Sequence, residues 1–501
     1  MLHTVRAVLG LVLSVFVLTS CSRNRDPGPE AEPALDRRTP EEIAAILEET
    51  LPDLMGAAKI PGLSICLIDD FQAAWCDAFG VAIEGVPATT ETVFQAASLS
   101  KPVFAYTVLR MVDEGVLDLD APLIDSIGID AARANHLGES FDDPRVREIT
   151  ARMVMTHRTG FPNWRGRGEL TFIFDPDERF GYSGEGFGLL QKVVERVTGT
   201  PMEELVTTYT FEPLGMTSST YTASEVDLDR YAWPHRAWGE VQPKPDDFEE
   251  RRRKARPHAA ASLVTTASDY ARFLVALSTG EGLADATHEA LLRPQSDVGD
   301  DGLVSWGLGT GLERVNGGVN AWHWGDNGDT KAFFVVDPRF GDGVVYFANS
   351  YNGLSLAGKI LELVMPGDHP LLEGALLEDY PAFDSTDFRL AQAVYAEGAA
   401  GALRVVDELR QRGEDMPGEA QINDLGYWLM REDRLDQAIE LFELNVELYP
   451  DAWNVYDSLG EAQLAKGLRK QGLANYRRSL ELNPDNEHAK RVLVDSGSNE
   501  D

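Results

Sequence analysis

The chain has 501 residues, too many for one ordinary hydrophobic core, so more than one folded region is expected. Its 82 acidic residues against 45 basic ones leave a formal net charge of −37. That balance excludes nonspecific nucleic-acid binding and fits a soluble, self-repelling surface, but says nothing of catalysis.

In chain order, the N-terminus carries Arg6 and then an apolar run from Ala7 to Val17. The run is too short for a membrane span and reads as a signal peptide over residues 1–20. Leu18-Thr19-Ser20-Cys21 resembles a bacterial lipoprotein box, which implies lipidation at Cys21 once the signal is removed. Residues 21–38, rich in proline and charge, read as a flexible tether. Thr39-Pro40-Glu41-Glu42 then predicts a helix start, with a threonine cap, proline at the first helical position and a glutamate closing the capping box. Gly62 to Ile68 and Gln72 to Phe79 read as a first hairpin. Cys66 and Cys76 lie on it, either as a cross-strand disulfide or as two buried thiols.

Next comes Ser98-Leu99-Ser100-Lys101. An apolar lead-in, Val93 to Ala97, precedes it, and Val103, Tyr106, Thr107, Arg110 and Met111 follow at helical spacing. Pro102 is tolerated in a first helical turn, where the N–H groups have no partner anyway. Residues three apart share a helix face, so a serine at the helix start and a lysine one turn later bring a hydroxyl and an amine together. That is the geometry of a nucleophile and its base. A lysine is a base near neutral pH only when its ammonium is disfavoured, so Lys101 is expected to be buried. Tyr182-Ser183-Gly184 and His323-Trp324-Gly325 complete the set of candidate motifs.

Phe94 to Pro102 resembles the nucleophile segment of the serine beta-lactamase and penicillin-binding-protein family, in its class C and esterase-like branch. Further segments follow in the family's order: Met155 to Pro162, Phe180 to Phe187, Phe211 to Met216, Ala261 to Phe273, and Trp322 to Gly328 before two closing strands. The resemblance implies an α+β fold over residues 39–365: an antiparallel sheet flanked by helices, with an all-helical subdomain. It implies Ser98 as the catalytic nucleophile, Lys101 as its base and Tyr182 as the proton relay. His323 and Gly325 then line the substrate, and the backbone N–H groups of Ser98 and Asp326 form the oxyanion hole. Read alone, Tyr182 is a core tyrosine with a satisfied hydroxyl; the ordered series of motifs reverses that reading. No cofactor and no metal is implied. Two departures bear on substrate: Gly184 stands where the family commonly has an asparagine that holds the substrate amide, and His323 where it has a lysine. Both weaken recognition of a beta-lactam, so an esterase, amidase or peptidase is favoured. A true beta-lactamase, a D-alanyl carboxypeptidase and a penicillin-recognising receptor that does not turn over are the competing readings.

Arg251 to Arg256 is a basic run in a polar insertion, read as a solvated face or a partner of nearby acids, with an anionic ligand as the alternative. Residues 366–385 read as a linker. From 386 to 495 the pattern is helical, and Leu425-Gly426, Ala438, Phe442 and Pro450 recur 34 residues later as Leu459-Gly460, Gly472, Tyr476 and Pro484. That spacing resembles the tetratricopeptide repeat. It implies an all-α repeat domain with a surface for a protein partner, followed by a 496–501 tail; two copies are few for a free-standing array, so a degenerate helix pair between Phe388 and Gln411, or docking on the hydrolase, is expected to cap them. The expected location is the bacterial cell envelope, membrane-held through the lipid anchor and facing the periplasm or exterior, with a small molecule or peptide as substrate.

Overall fold

The computed structural model describes residues 38–497, except 238, 300, 375 and 379. The expected signal peptide, Cys21, nearly all of the tether and the end of the tail lie outside the described residues. Among the described residues no helix is long and apolar enough to cross a membrane.

The described strands are β1 (Gly62–Asp69), β2 (Gln72–Ile83), β3 (Val86–Pro87), β4 (Phe94–Gln95), β5 (Val264–Thr265), β6 (Ser296–Asp297), β7 (Val304–Trp306), β8 (Gly311–Val315), β9 (Gly318–Asp326), β10 (Lys331–Asp337) and β11 (Asp342–Ala348). Nine form one antiparallel sheet in the order β3-β2-β1-β11-β10-β9-β8-β7-β6, and β4 pairs with β5 as a separate ribbon. Side chains alternate faces along a strand. In β10, Phe333 and Val335 join a core with Leu47 and Leu51 of the helix Pro40–Ala58 and with Ile360 and Leu361 of the helix Ala357–Val364. Phe334 and Val336 face the opposite core, with Val103 of the helix Ser100–Asp113 and Tyr270 and Phe273 of the helix Ala267–Thr279. Because both faces are covered, the central strands read as unbroken apolar runs rather than an alternating pattern.

Cys66 and Cys76 are directly opposed across β1 and β2 and form a disulfide, with their Cα atoms 4.1 Å apart. The basic run forms the short helix Phe248–Lys254. There Arg251 pairs with Asp247 at 2.7 Å, Arg252 with Glu249 at 3.4 Å, and Lys254 with Glu250.

Beyond the sheet, seven further helices run from Thr386 to Gly497, and the first five share a separate hydrophobic cluster that includes Leu390, Leu409, Leu429 and Phe442. The helices Glu419–Arg431 and Leu435–Leu448 approach where Gly426 faces the Phe442 ring, so closely that an added Cβ would lie 2.4 Å from it. Thirty-four residues on, Gly460 faces Tyr476 in the same way at 3.1 Å, between the helices Trp453–Ala465 and Arg469–Leu482. Gln392 Nε2 of this region donates to the Ala57 carbonyl at 3.3 Å.

Candidate active site

Ser98 lies in a single 3-10 turn, Ala97–Leu99, immediately before the helix Ser100–Asp113. It therefore precedes the helix rather than opening it. The physical reason is Ala97, whose φ of 48° is left-handed and strained for a residue with a Cβ. The three-residue spacing still brings Lys101 Nζ to 3.0 Å from Ser98 Oγ.

The β4–β5 ribbon supplies the floor. Ala96 N–H donates to the Leu263 carbonyl at 2.8 Å, and Leu263 N–H donates to Ser100 Oγ at 3.0 Å. These bonds carry residues 260–263 alongside the turn, where Lys101 Nζ donates to the Ala260 carbonyl at 3.0 Å. Lys101 is wholly buried, and burial pulls its ammonium down to about 7. No carboxylate contributes to that shift. The amine is thus partly neutral at physiological pH, with a lone pair beside a half-buried serine hydroxyl.

Tyr182 is placed by its neighbour. Ser183 caps the helix Gly184–Thr198, accepting from Gly186 N–H at 3.1 Å and donating to the Pro162 carbonyl at 2.9 Å, while its own N–H donates to His157 Nδ1 at 3.0 Å. The Tyr182 ring then lies 4.7 Å from Lys101 Nζ and 4.3 Å, centroid to centroid, from the His157 ring. Burial pushes the Tyr182 phenol well up, and Ser98 draws it partly back. Its hydroxyl is close enough to Ser98 to feel it, yet forms no well-aligned hydrogen bond. His157 accepts at Nδ1, so its proton sits on Nε2, buried and without a partner. Burial first, then Lys101, holds His157 far below the usual histidine range.

β9 closes the site. An added Cβ on Gly325 would stand 2.5 Å from the Ala96 carbonyl oxygen and 3.2 Å from Ser98 N, so the strand presses on the nucleophile turn only because the residue is glycine. Asn327 N–H donates to the Thr330 carbonyl, which makes Asp326–Lys331 a non-hydrogen-bonded pair of β9 and β10. The Asp326 N–H therefore points away from β10. On that side β9 has outrun β8, whose pairing ends at Trp322. The Asp326 carboxylate is tied down separately, accepting from buried Lys331 at 2.7 Å and from Tyr380 at 2.7 Å.

His323 stands in the place of the family's lysine but is not a cation. It is fully buried, its Nδ1 bonds the Trp324 carbonyl at 2.6 Å, and burial, reinforced by Lys101, pushes it down to about 3. It is a neutral imidazole that contacts the Tyr182 ring at 6.1 Å, with a buried, unpartnered Nε2. The strand's chain order gave no sign of this, since the loss of charge comes from packing. Trp164 was not singled out from sequence either. Its indole covers Gly184, 6.0 Å from Lys101 Nζ, and the only hint was a tryptophan three residues after Phe161 in a polar loop. Two cavities of about 480 and 260 Å³ share Asp120 and Arg152 in their walls, and neither is lined by Ser98, Lys101, Tyr182, His323, Gly325 or Asp326.

A serine hydroxyl against a buried lysine amine, in this sheet-and-helix frame, defines a serine hydrolase of the beta-lactamase fold. The family model described as Beta-lactamase matches residues 47–364, and the chain belongs to that family. It is 28% identical over 290 residues to penicillin-binding protein 4 of Amycolatopsis lactamdurans, covering 52% of this chain and 72% of the relative. To esterase EstB of Burkholderia gladioli it is 27% identical over 276 residues, covering 45% of this chain and 67% of that one. Among solved structures, the octameric penicillin-binding protein homologue from Pyrococcus abyssi shares the fold with a TM-score of 0.55 at 23% identity, over 70% of this chain and 82% of the other.

Proposed function

We propose that the chain is an acyl-enzyme serine hydrolase of neutral esters, with amides second. The observation that carries this is the 3.0 Å approach of Lys101 Nζ to Ser98 Oγ with the amine fully buried. Neutral Lys101 takes the Ser98 proton as Oγ bonds to the substrate carbonyl carbon. The oxyanion so formed is held by the N–H groups of Ser98 and Asp326. Collapse breaks the bond to the leaving alkoxide or amine, which receives the proton from Lys101 by way of Tyr182. Water then attacks the acyl-serine, giving up a proton to the same pair, and the carboxylic acid and free Ser98 are released.

The ester preference rests on what is missing for a beta-lactam. Gly184 offers no amide reader, and His323 is neutral where a cation would anchor a carboxylate. A receptor that does not turn over would have no use for the serine, lysine and tyrosine kept together.

Cys21 is the lipidation site of a protein held at the cell envelope, and the Cys66–Cys76 disulfide fits the oxidising side of the membrane. The glycine–aromatic helix contacts 34 residues apart support a tetratricopeptide-like module that docks a protein partner. The test of the chemistry is a panel of short-chain esters, D-amino-acid peptides and a chromogenic cephalosporin, run on protein lacking the first 21 residues. Esters should show the highest kcat/KM, lost in Ser98→Ala; a clear lead for the cephalosporin overturns the ester reading.

A further inference from the structure

Gly184 leaves a hole, and Trp164 fills it. An ideal Cβ on Gly184 would come within 2.7, 2.8 and 3.0 Å of the indole carbons Cη2, Cζ2 and Cζ3 of Trp164. Any larger residue at 184 would displace the ring, so the glycine and the tryptophan are one device. Yet the indole is not spent on packing. Trp164 keeps 48% of its surface exposed while standing 6.0 Å from Lys101 Nζ, so a broad apolar face borders the reactive pair.

The loop is fixed on both sides of the ring. Before it, the Asn163 carbonyl accepts from the Gly184 and Glu185 N–H groups at 3.1 and 3.2 Å, and Asn163 Oδ1 accepts from Gly184 N–H at 3.1 Å. After it, Arg165 N–H donates to Glu185 Oε1 at 3.0 Å, its guanidinium bonds Glu185 Oε2, and Arg165 Nη1 donates to the His136 carbonyl at 2.8 Å. An aromatic wall held this way is formed before any ligand arrives, so little ordering entropy opposes binding. Arg165 is spent on Glu185, and His258, edge-on to the indole at 5.3 Å, is held down to about 4 by burial and then by Lys101.

We propose that Trp164 is the specificity-determining residue of this site, its exposed indole face taking an aromatic or bulky apolar group of a neutral ester. The proposal rests on the hydrolase reading for the bond that is cut, but not for the binding of the aromatic group.

The experiment pairs Trp164→Ala and Trp164→Phe with three probes: ethyl acetate, ethyl phenylacetate with the ring on the acyl side, and benzyl acetate with it on the alcohol side. Trp164→Ala should lower kcat/KM about tenfold for at least one ring-bearing ester, as loss of an aromatic contact with its buried area would. Ethyl acetate should stay within about threefold, and Trp164→Phe should recover most of the loss. An equal loss on all three esters, or none on either ring-bearing ester, overturns the proposal. Calorimetric binding of the same ring-bearing esters to Ser98→Ala separates the two readings. If nothing is turned over but the Trp164→Ala change weakens binding fivefold or more, the hydrolase reading fails and the aromatic site stands. If binding is unchanged as well, the aromatic site falls.

Discussion

Replacing Lys101 with methionine should destroy activity and stabilise the protein, and the stabilisation should vanish as pH rises. Burial lowers this lysine from 10.5 in the unfolded chain to about 7 in the folded one. Between those values the unfolded chain binds a proton that the folded chain does not, so the contribution of this group to wild-type stability rises with pH across the window. Below pH 7 the folded state must hold the ammonium in a dry site, at a cost of about 5 kcal/mol for the shift to about 7. Methionine removes that cost but forfeits the contacts to Ser98 and the Ala260 carbonyl, roughly 1 kcal/mol each. The net gain at pH 6.5 is then on the order of 2–3 kcal/mol, closing to a net loss near pH 10. The neighbouring histidines His258 and His323 titrate near 4 and 3, outside this window. Urea denaturation of both proteins at pH 6.5 and 9.5 reads the difference. A variant that is less stable at pH 6.5, or whose advantage is the same at both pH values, refutes the argument that Lys101 is a desolvated base.

Gly325→Ala places a methyl 2.5 Å from the Ala96 carbonyl, which must push β9 off the nucleophile turn; kcat should fall at least tenfold with a lower melting temperature, measured by ester turnover and a thermal melt. Cys21→Ala should abolish incorporation of labelled fatty acid and release the protein from the membrane fraction, checked by metabolic labelling with fractionation. Removing everything after Phe383 should leave ester turnover within a few-fold, because Tyr380, which bonds Asp326 at 2.7 Å, is retained; turnover and melting beside the full chain decide it.

The spacing of Ser98 and Lys101 was readable because a three-residue step has the same meaning in a 3-10 turn and in an α-helix. The antiparallel sheet and its flanking helices followed from segments in a familiar order, and the family match bears that fold out. The pairing of Cys66 with Cys76 was open until register placed them opposite each other. What sequence could not carry was environment. Nothing local to His323 announces that it is fully buried and therefore uncharged. Gly184 read as an absence, and only the fold of the loop shows that the indole of Trp164, twenty residues earlier, occupies its side-chain space. The outward turn of the Asp326 N–H likewise depends on strand pairing, which is a property of two segments and not of one.

The central claim is that Ser98 carries the acyl group, drawn off its proton by a lysine that is neutral only above about pH 7. The direct measurement is rapid mixing with an ester, acid quenching and mass spectrometry of the peptide that holds Ser98, at pH 6 and pH 8. The account predicts an adduct of one acyl mass on Ser98, forming about tenfold faster at pH 8 than at pH 6, as the neutral fraction of a base near 7 requires. An adduct on any other residue, turnover that persists in Ser98→Ala, or acylation faster at pH 6 would contradict it.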